Sequence, residues 1–471
     1  MMSEKAEGRG QKAIQNLNVN GFLCGIVVCT IFMFGIFIQT IQAQSDEAYN
    51  NIFPSEISIL SEFAPSKESG SHAYLDIYPQ LKEYIQIAIE QNPELQSLQA
   101  GLAADRERIR ESGVLMDPEI NVAYDFNPMM SDSYLGRFSF SAMQMFPWFG
   151  TLEARRELQR SATDANRAAI SSRQLEILRD LQIAWFDIAE IREQIHITEQ
   201  TLELLQDLEM LVEARYETGR GGQADILRIQ MEEQRLINRI ADLNDRIHPL
   251  TARFNELLNR DVKTGVDTTE ELLHAEPAWS DEEVGERIRQ LNPVFDRINA
   301  ERSAAENEYR LAELDGKPGF GIGIEVMGRD FGPMSMFPDA KESIVGMATI
   351  RVPLFRTRTH SQKQQARHRI QSLDLREHQT ENRLMAELEQ YLEEIRRSER
   401  KSTLLSDELV PRAEQALRIL SEEYSVGSAR FDELLQIQRE LLNLEVERIE
   451  AITNQNRAVI KIESLIGNNF P

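Results

Sequence analysis

Residues 216–236, YETGRGGQADILRIQMEEQRL, lie without a gap over residues 424–444, YSVGSARFDELLQIQRELLNL. The two stretches share Tyr216/Tyr424, Gly219/Gly427, Leu227/Leu435, Ile229/Ile437, Gln230/Gln438, Glu232/Glu440 and Leu236/Leu444. Upstream, MFPWFG (145–150) answers RVPLFR (351–356), and QNPEL (91–95) answers LNPVF (291–295). The chain thus says one thing twice: helix, strand pair, long helix, turn, helix. Such a tandem arrangement predicts a pseudo-symmetric tube or bundle rather than an enzyme pocket.

Working outward from the repeat, the hydrophobic period changes sharply in two places. In EINVAYDF (119–126), Ile120, Val122, Tyr124 and Phe126 alternate with Asn121, Ala123 and Asp125. In RFSFSAMQMF (137–146), Phe138, Phe140 and Ala142 alternate with Ser139, Ser141 and Met143. These read as two strands with one apolar and one polar face, joined by the turn-rich stretch 127–136. The second copy has GFGIGIEVM (319–327), with Phe320, Ile322, Ile324 and Val326 facing one way and Gly321, Gly323 and Glu325 the other, and SIVGMATIRV (343–352). Four strands cannot close a barrel alone. Their apolar face calls for lipid or partner chains.

Elsewhere the chain reads as helix. It holds only 24 Gly and 16 Pro in 471 residues, with long stretches rich in Glu, Arg, Leu, Ala and Gln, a composition suited to long packed helices. Leu178, Leu181, Trp185, Ile188, Ile191, Ile195, Leu202, Leu205, Leu208 and Val212 keep steps of three, four and seven, a coiled-coil stripe. A helix over 150–216 would be about 100 Å long, the returning helix over 224–259 about 54 Å, and the one before the strands, 93–114, roughly 33 Å. Two short helices end to end nearly match the long one. A kink is expected at Pro411. After each second strand comes Pro-x-Phe (Pro147 and Phe149, Pro353 and Phe355), where proline leaves the strand ladder and presets φ for a helix start.

At the N-terminus, FLCGIVVCTIFMFGIFI (22–38) follows Lys5, Arg9 and Lys12 and precedes Ile41-Gln42-Ala43. This reads as a signal peptide over residues 1–43, the alternative being an uncleaved membrane anchor. Cys24 and Cys29 both fall inside it, so a cleaved chain would carry no thiol. The net charge is −25, and −26 without residues 1–43, whose three cations outnumber their two acids. So acidic a protein is a poor nucleic-acid binder and a plausible conduit for cations, although most of its carboxylates have an ordinary role on a solvated surface.

The repeated residues resemble the TolC-like outer-membrane efflux proteins, or outer membrane factors, the exit ducts of tripartite pumps and of type I secretion. The resemblance spans about 80–467 and rests on Pro-x-Phe after each second strand and, in the second copy, on Pro411, Leu417, Tyr424, Gly427, Leu434-Leu435, Gln438 and Glu445. It implies a mainly α fold with a small β part: long antiparallel coiled-coil helices in two tandem repeats, with four strands per chain entering a 12-stranded β-barrel of a homotrimer. The organisation expected is a polar lead (44–74), a first repeat (75–260), a linker (261–280), a second repeat (281–467) and a short end (468–471). The barrel would sit in outer-membrane lipid of a Gram-negative bacterium and the helices in the periplasm, working with a periplasmic adaptor and an inner-membrane pump. The competing reading is a membrane-anchored adaptor held by residues 22–38. An adaptor commonly has one coiled hairpin between split β domains, whereas this chain has two full copies.

In the family the helical turns close the tunnel and dock the adaptor, which by resemblance assigns Tyr216, Gly219, Asp225, Tyr424, Gly427, Arg430, Asp432 and Glu433 to docking and closure. Here the arginine is displaced by one position, and Gln436 stands where a second acid is expected. Both glycines also fit a left-handed turn ending a helix, and Asp225, Asp432 and Glu433 are ordinary first-turn acids. Nine methionines, Met116, Met129, Met130, Met143, Met145, Met327, Met334, Met336 and Met347, cluster around the strands. Their thioethers suit soft ions such as Cu(I) or serve as flexible apolar filler. His360, His368 and His378 are assigned to a solvated face. With no phosphate loop, no nucleophile–base pair and no ligand cluster at catalytic spacing, no enzyme activity, resident metal or cofactor is expected.

Overall fold

The switches between helical and alternating periodicity set the order of elements. The computed structural model describes residues 77–125, 137–269, 271–275, 277, 279–328 and 343–467. Helices α1 (Pro79–Gln91) and α2 (Pro93–Ser112) lead into strands β1 (Glu119–Asp125) and β2 (Arg137–Phe146), followed by α3 (Thr151–Glu217) and α4 (Gln223–Leu257). The order then recurs as α5 (Asp281–Leu291), α6 (Pro293–Leu314), β3 (Gly319–Gly328), β4 (Ser343–Arg351) and α7 (Arg356–Leu404). A π-helical turn (Leu405–Leu409), α8 (Val410–Val426) and α9 (Phe431–Ile466) complete it. The signal segment with both cysteines, the lead 44–74, Phe126 with the turn 127–136, Met129, Met130, Met334, Met336 and the end 468–471 lie outside the described residues.

Helix α3 has the 67 residues expected, displaced by one position. It packs along α2, α4, α6 and α9, while α7 packs along α6 and α9. Its stripe buries Leu178, Leu181, Trp185, Ile188 and Ile191, then Leu205, Leu208 and Val212. Between these two runs the buried residues are polar: Glu193, Gln194, Thr198 and Thr201. The segment joining α4 to α5 packs beside them. Glu193 accepts the Leu272 amide (3.1 Å), the Trp185 indole donates to the Asp267 carbonyl (3.0 Å), and Asn456 accepts from the Ala275 amide (2.9 Å). The Tyr78 hydroxyl both accepts from and donates to Leu273 (2.8 Å each). An irregular segment brings unpaired backbone groups, and buried polar side chains answer them.

The two Asn-Pro pairs have one architecture. Asn92 accepts the amides of Glu94 and Leu95, capping α2, while its Nδ2 donates to the carbonyl of Leu257 at the end of α4 (2.9 Å). Asn292 accepts the Val294 amide and donates to Leu465 at the end of α9 (2.7 Å). Proline follows at the first helical position, where a missing N–H costs nothing. Each asparagine thereby clasps a short helix to the end of a returning one, the end-to-end stacking expected from the helix lengths.

At Pro411 the expected kink is a one-turn widening: the π-helical turn Leu405–Leu409 directly precedes Val410-Pro411. Proline offers no N–H and its ring presses on the carbonyl four residues earlier, and the wider turn accommodates both.

The four strands form one antiparallel sheet in the order β1-β2-β3-β4, so β2 of the first half pairs with β3 of the second. The register puts Ile120–Ala142–Ile324–Gly346 and Val122–Phe140–Val326–Ile344 on one face, and Glu119–Met143–Gly323–Met347 on the other. The facing read from the alternation holds. Val122, Ile322 and Ile350 are 62%, 63% and 71% exposed, so this face is uncovered in the single chain. Met143, Met145, Met327 and Met347 sit on the polar face rather than among the apolar side chains. Among the described residues no helix is long and apolar enough to cross a membrane.

Candidate functional site at the helical turns

Both turns need a residue that accepts positive φ. Gly219 has φ 65° and Gly427 has φ 90°, as expected for glycines that end helices. In the first turn the amides of Arg220 and Gly221 return to the Arg215 carbonyl (2.8 and 3.1 Å). In the second, the amides of Ser428 and Ala429 return to the Glu423 carbonyl (2.9 and 3.3 Å). Closing the last carbonyls this way lets α4 and α9 start within a few residues.

The aligned tyrosines have different surroundings. Tyr424 is buried against Phe431, ring centroids 5.4 Å apart, whereas Tyr216 is 47% exposed. Arg215, one residue before Tyr216, reaches across to the other turn and lays its guanidinium over the Tyr424 ring, 4.3 Å from the centroid. The same guanidinium donates to the Arg220 carbonyl (3.2 Å). Burial raises the Tyr424 pKa, the nearby Asp225 carboxylate adds to this, and Arg215 opposes it. Below the turns, Leu205, Leu208, Val212, Ile229, Phe431, Leu434 and Leu435 form a shared core, so the two turns are one packed unit.

The acids gather around an arginine that the sequence reading did not single out. Arg228 pairs with Asp432 of the opposite turn and lies 3.7 Å from Asp225. Arg430 also bonds Asp432 (2.7 Å). Arg228, Arg430, Asp225 and Asp432 thus make a four-membered cluster of alternating charge. Glu433 is exposed, with no ion pair to it among the described residues. Further along, Glu232 is 7% exposed and bonds Arg439 (2.5 Å) and Arg235 (3.1 Å). Burial pulls its pKa up, and the two arginines carry it below the ordinary value. Arg215 and Arg228 left little trace in the repeat because neither lies at a shared position: their partners come from the other half of the chain.

At the other end of α3 and α7, Pro147 and Pro353 follow the strands, but the helices begin only at Thr151 and Arg356. The prolines therefore end the strands and do not sit in the first helical turn, which corrects the expectation that they preset it. Gly150, with φ 82°, starts α3. Phe149 (74%) and Phe355 (87%) are exposed. His360, His368 and His378 are exposed on α7, as expected. Among the described residues no group of three His, Cys, Asp or Glu side chains is placed to hold a metal ion.

The family described as "Outer membrane efflux protein" matches residues 84–260 and 284–468, and the chain belongs to that family. Solved structures share its fold. The Vibrio cholerae outer membrane protein VceC is 18% identical, covering 85% of this chain and 100% of its own, TM-score 0.67. The Campylobacter jejuni CmeC channel is 10% identical, covering 86% and 90%, TM-score 0.71. The open state of the Neisseria gonorrhoeae MtrE channel is 15% identical, covering 86% and 94%, TM-score 0.67. Among curated protein sequences none matches. The protein is an outer-membrane efflux protein, and the adaptor alternative finds no support.

Proposed function

We propose that the protein is the passive exit duct of a tripartite efflux pump, or of type I secretion, built as a homotrimer. The observation that carries this reading is the single four-stranded sheet, apolar on one face, with β1 and β4 as open edges. Three such sheets joined edge to edge make a 12-stranded barrel, which removes every edge and turns the apolar face to outer-membrane lipid. The helices then continue the barrel as a tunnel in the periplasm, and transport energy comes from an inner-membrane pump. The division into repeats 75–260 and 281–467 joined by linker 261–280 belongs to this reading, with the Asn92 and Asn292 clasps in its favour.

The helical turns are the adaptor-docking and closure end, with Tyr216, Gly219, Asp225, Tyr424, Gly427, Arg430, Asp432 and Glu433 as their residues and Arg215 and Arg228 added to them. Replacing Gly219 and Gly427 with valine tests the assignment, since valine is strained at positive φ. The expected result is loss of efflux and of adaptor crosslinking with trimers still in the outer membrane. Normal crosslinking and transport in the double variant would refute docking at the turns.

A further inference from the structure

Where the strands hand over to the helices, a cleft of about 160 Å³ opens between the start of α3, the end of α6 and the end of β4. This is well below the roughly 300–1,000 Å³ of pockets that take drug-sized molecules, so its occupant is a small group. Arg155, Lys317 and Arg351 line it, with Asp315 as the one acid and Trp148 as an apolar wall. Asp315 lies 3.9 Å from Arg155; no ion pair engages Lys317 or Arg351 among the described residues. In a chain of net charge −25, three cations against one carboxylate is a local reversal of sign.

The start of α3 adds donors. No side chain caps this 67-residue helix at its N-terminus; the Thr151 and Ala154 amides bond the Trp148 and Gly150 carbonyls, which leaves those of Leu152 and Glu153, while the Glu153 carboxylate pairs with Arg156. Thr151, also lining the cleft, is 1% exposed, and its hydroxyl has no hydrogen-bond partner. Other helical hydroxyls here, such as Thr163, donate to the carbonyl four residues back. For Thr151 that position is Pro147, outside the helix, so the usual acceptor is missing. A buried orphan hydroxyl is costly unless something accepts from it. An anion with several acceptor oxygens suits a hydroxyl, the two remaining amides and two cations outside any ion pair together.

We infer that this cleft binds a phosphate group. The source favoured by its surroundings is the headgroup of an anionic phospholipid. Trp148 and Phe149 after β2, and Leu354 and Phe355 after β4, are 37%, 74%, 78% and 87% exposed, apolar side chains suited to acyl chains near a site for their headgroup. That source rests on the barrel reading; the phosphate site itself does not.

Purified full-length protein, stripped of lipid in detergent, would be titrated with phosphatidylglycerol, with phosphatidylcholine and with inorganic phosphate, and followed by native mass measurement and ³¹P resonance. The wild type is expected to take up phosphatidylglycerol saturably, at least tenfold in preference to phosphatidylcholine, with inorganic phosphate competing. Lys317→Gln with Arg351→Gln should weaken this tenfold or more, and both side chains are exposed enough for the fold to tolerate the change. Thr151→Val should weaken it severalfold, and Asp315→Asn should tighten it, a gain that misfolding cannot produce. Saturable binding of inorganic phosphate without lipid uptake would uphold the site and assign it to a free anion. Equal uptake by wild type and the double variant, or no saturable binding of either ligand, would overturn it.

Discussion

Arg215 spans the two turns through a contact that has no counterpart at the aligned position in the other half. Its guanidinium over Tyr424 should contribute about 0.5–2 kcal/mol, so Arg215→Met is expected to loosen the second turn by that order. Faster amide exchange at Ser428 and Ala429, with the Asn92 and Asn292 regions unchanged, would be the measurement. Glu193 offers a second residue-scale test. Burial pushes its pKa from the ordinary 4.5 to about 7, while the Leu272 amide and Arg448 pull the other way. A folded pKa above the unfolded one means that folding takes up a proton, so stability falls as pH rises from 4.5 towards 7, by on the order of 1–3 kcal/mol. Glu193→Gln keeps an acceptor for Leu272 and removes the charge. Its melting temperature should match the wild type near pH 4.5 and exceed it at pH 8; parallel curves would show that Glu193 does not titrate in this range. At this scale the sequence revealed residues whose backbone is their message. Gly219 and Gly427 were legible because only a turn explains them. Arg228, Asn92's clasp on Leu257 and the polar belt around Glu193 were not, because each depends on a partner many positions away.

Elements were far more legible than sites. Periods of 2 and 3.6 are written along the chain itself, which is why the facing read for β1, β2 and β3 and the length of α3 hold. What periodicity lacked was the pairing of β2 with β3, a contact between two halves that local pattern does not encode. The sheet supplies its own test. Ile322→Lys should impair membrane insertion by about 2–4 kcal/mol, whereas Ser141→Lys on the polar face should be tolerated. Gly323 would be a poor control, since a Cβ there would come within 2.9 Å of the Ala142 carbonyl. Folded, membrane-extracted yields of the two lysine variants decide the matter, and equal yields would reverse the assigned facing. The widened turn before Pro411 is likewise testable: Pro411→Ala should restore regular helix over 405–411, seen as slower amide exchange there.

For the molecule as a whole, the open β1 and β4 edges and the bare apolar face are features that a lone chain cannot keep in water. Outer-membrane fractionation followed by native mass measurement should find three chains; a periplasmic monomer would remove the basis of the duct. The asparagine clasps also bear on how such a molecule comes into being. Asn92 and Leu257 both belong to the first half of the chain, and Asn292 and Leu465 both to the second, whereas β2 must wait for β3. A polypeptide delivered from its N-terminus can therefore latch its first helical half once residue 257 has emerged, with the remaining 214 residues still to come. The sheet, whose hydrophobic face is the hazard in transit, is completed late. The helices of the first half are thus locked together before the second pair of strands has arrived.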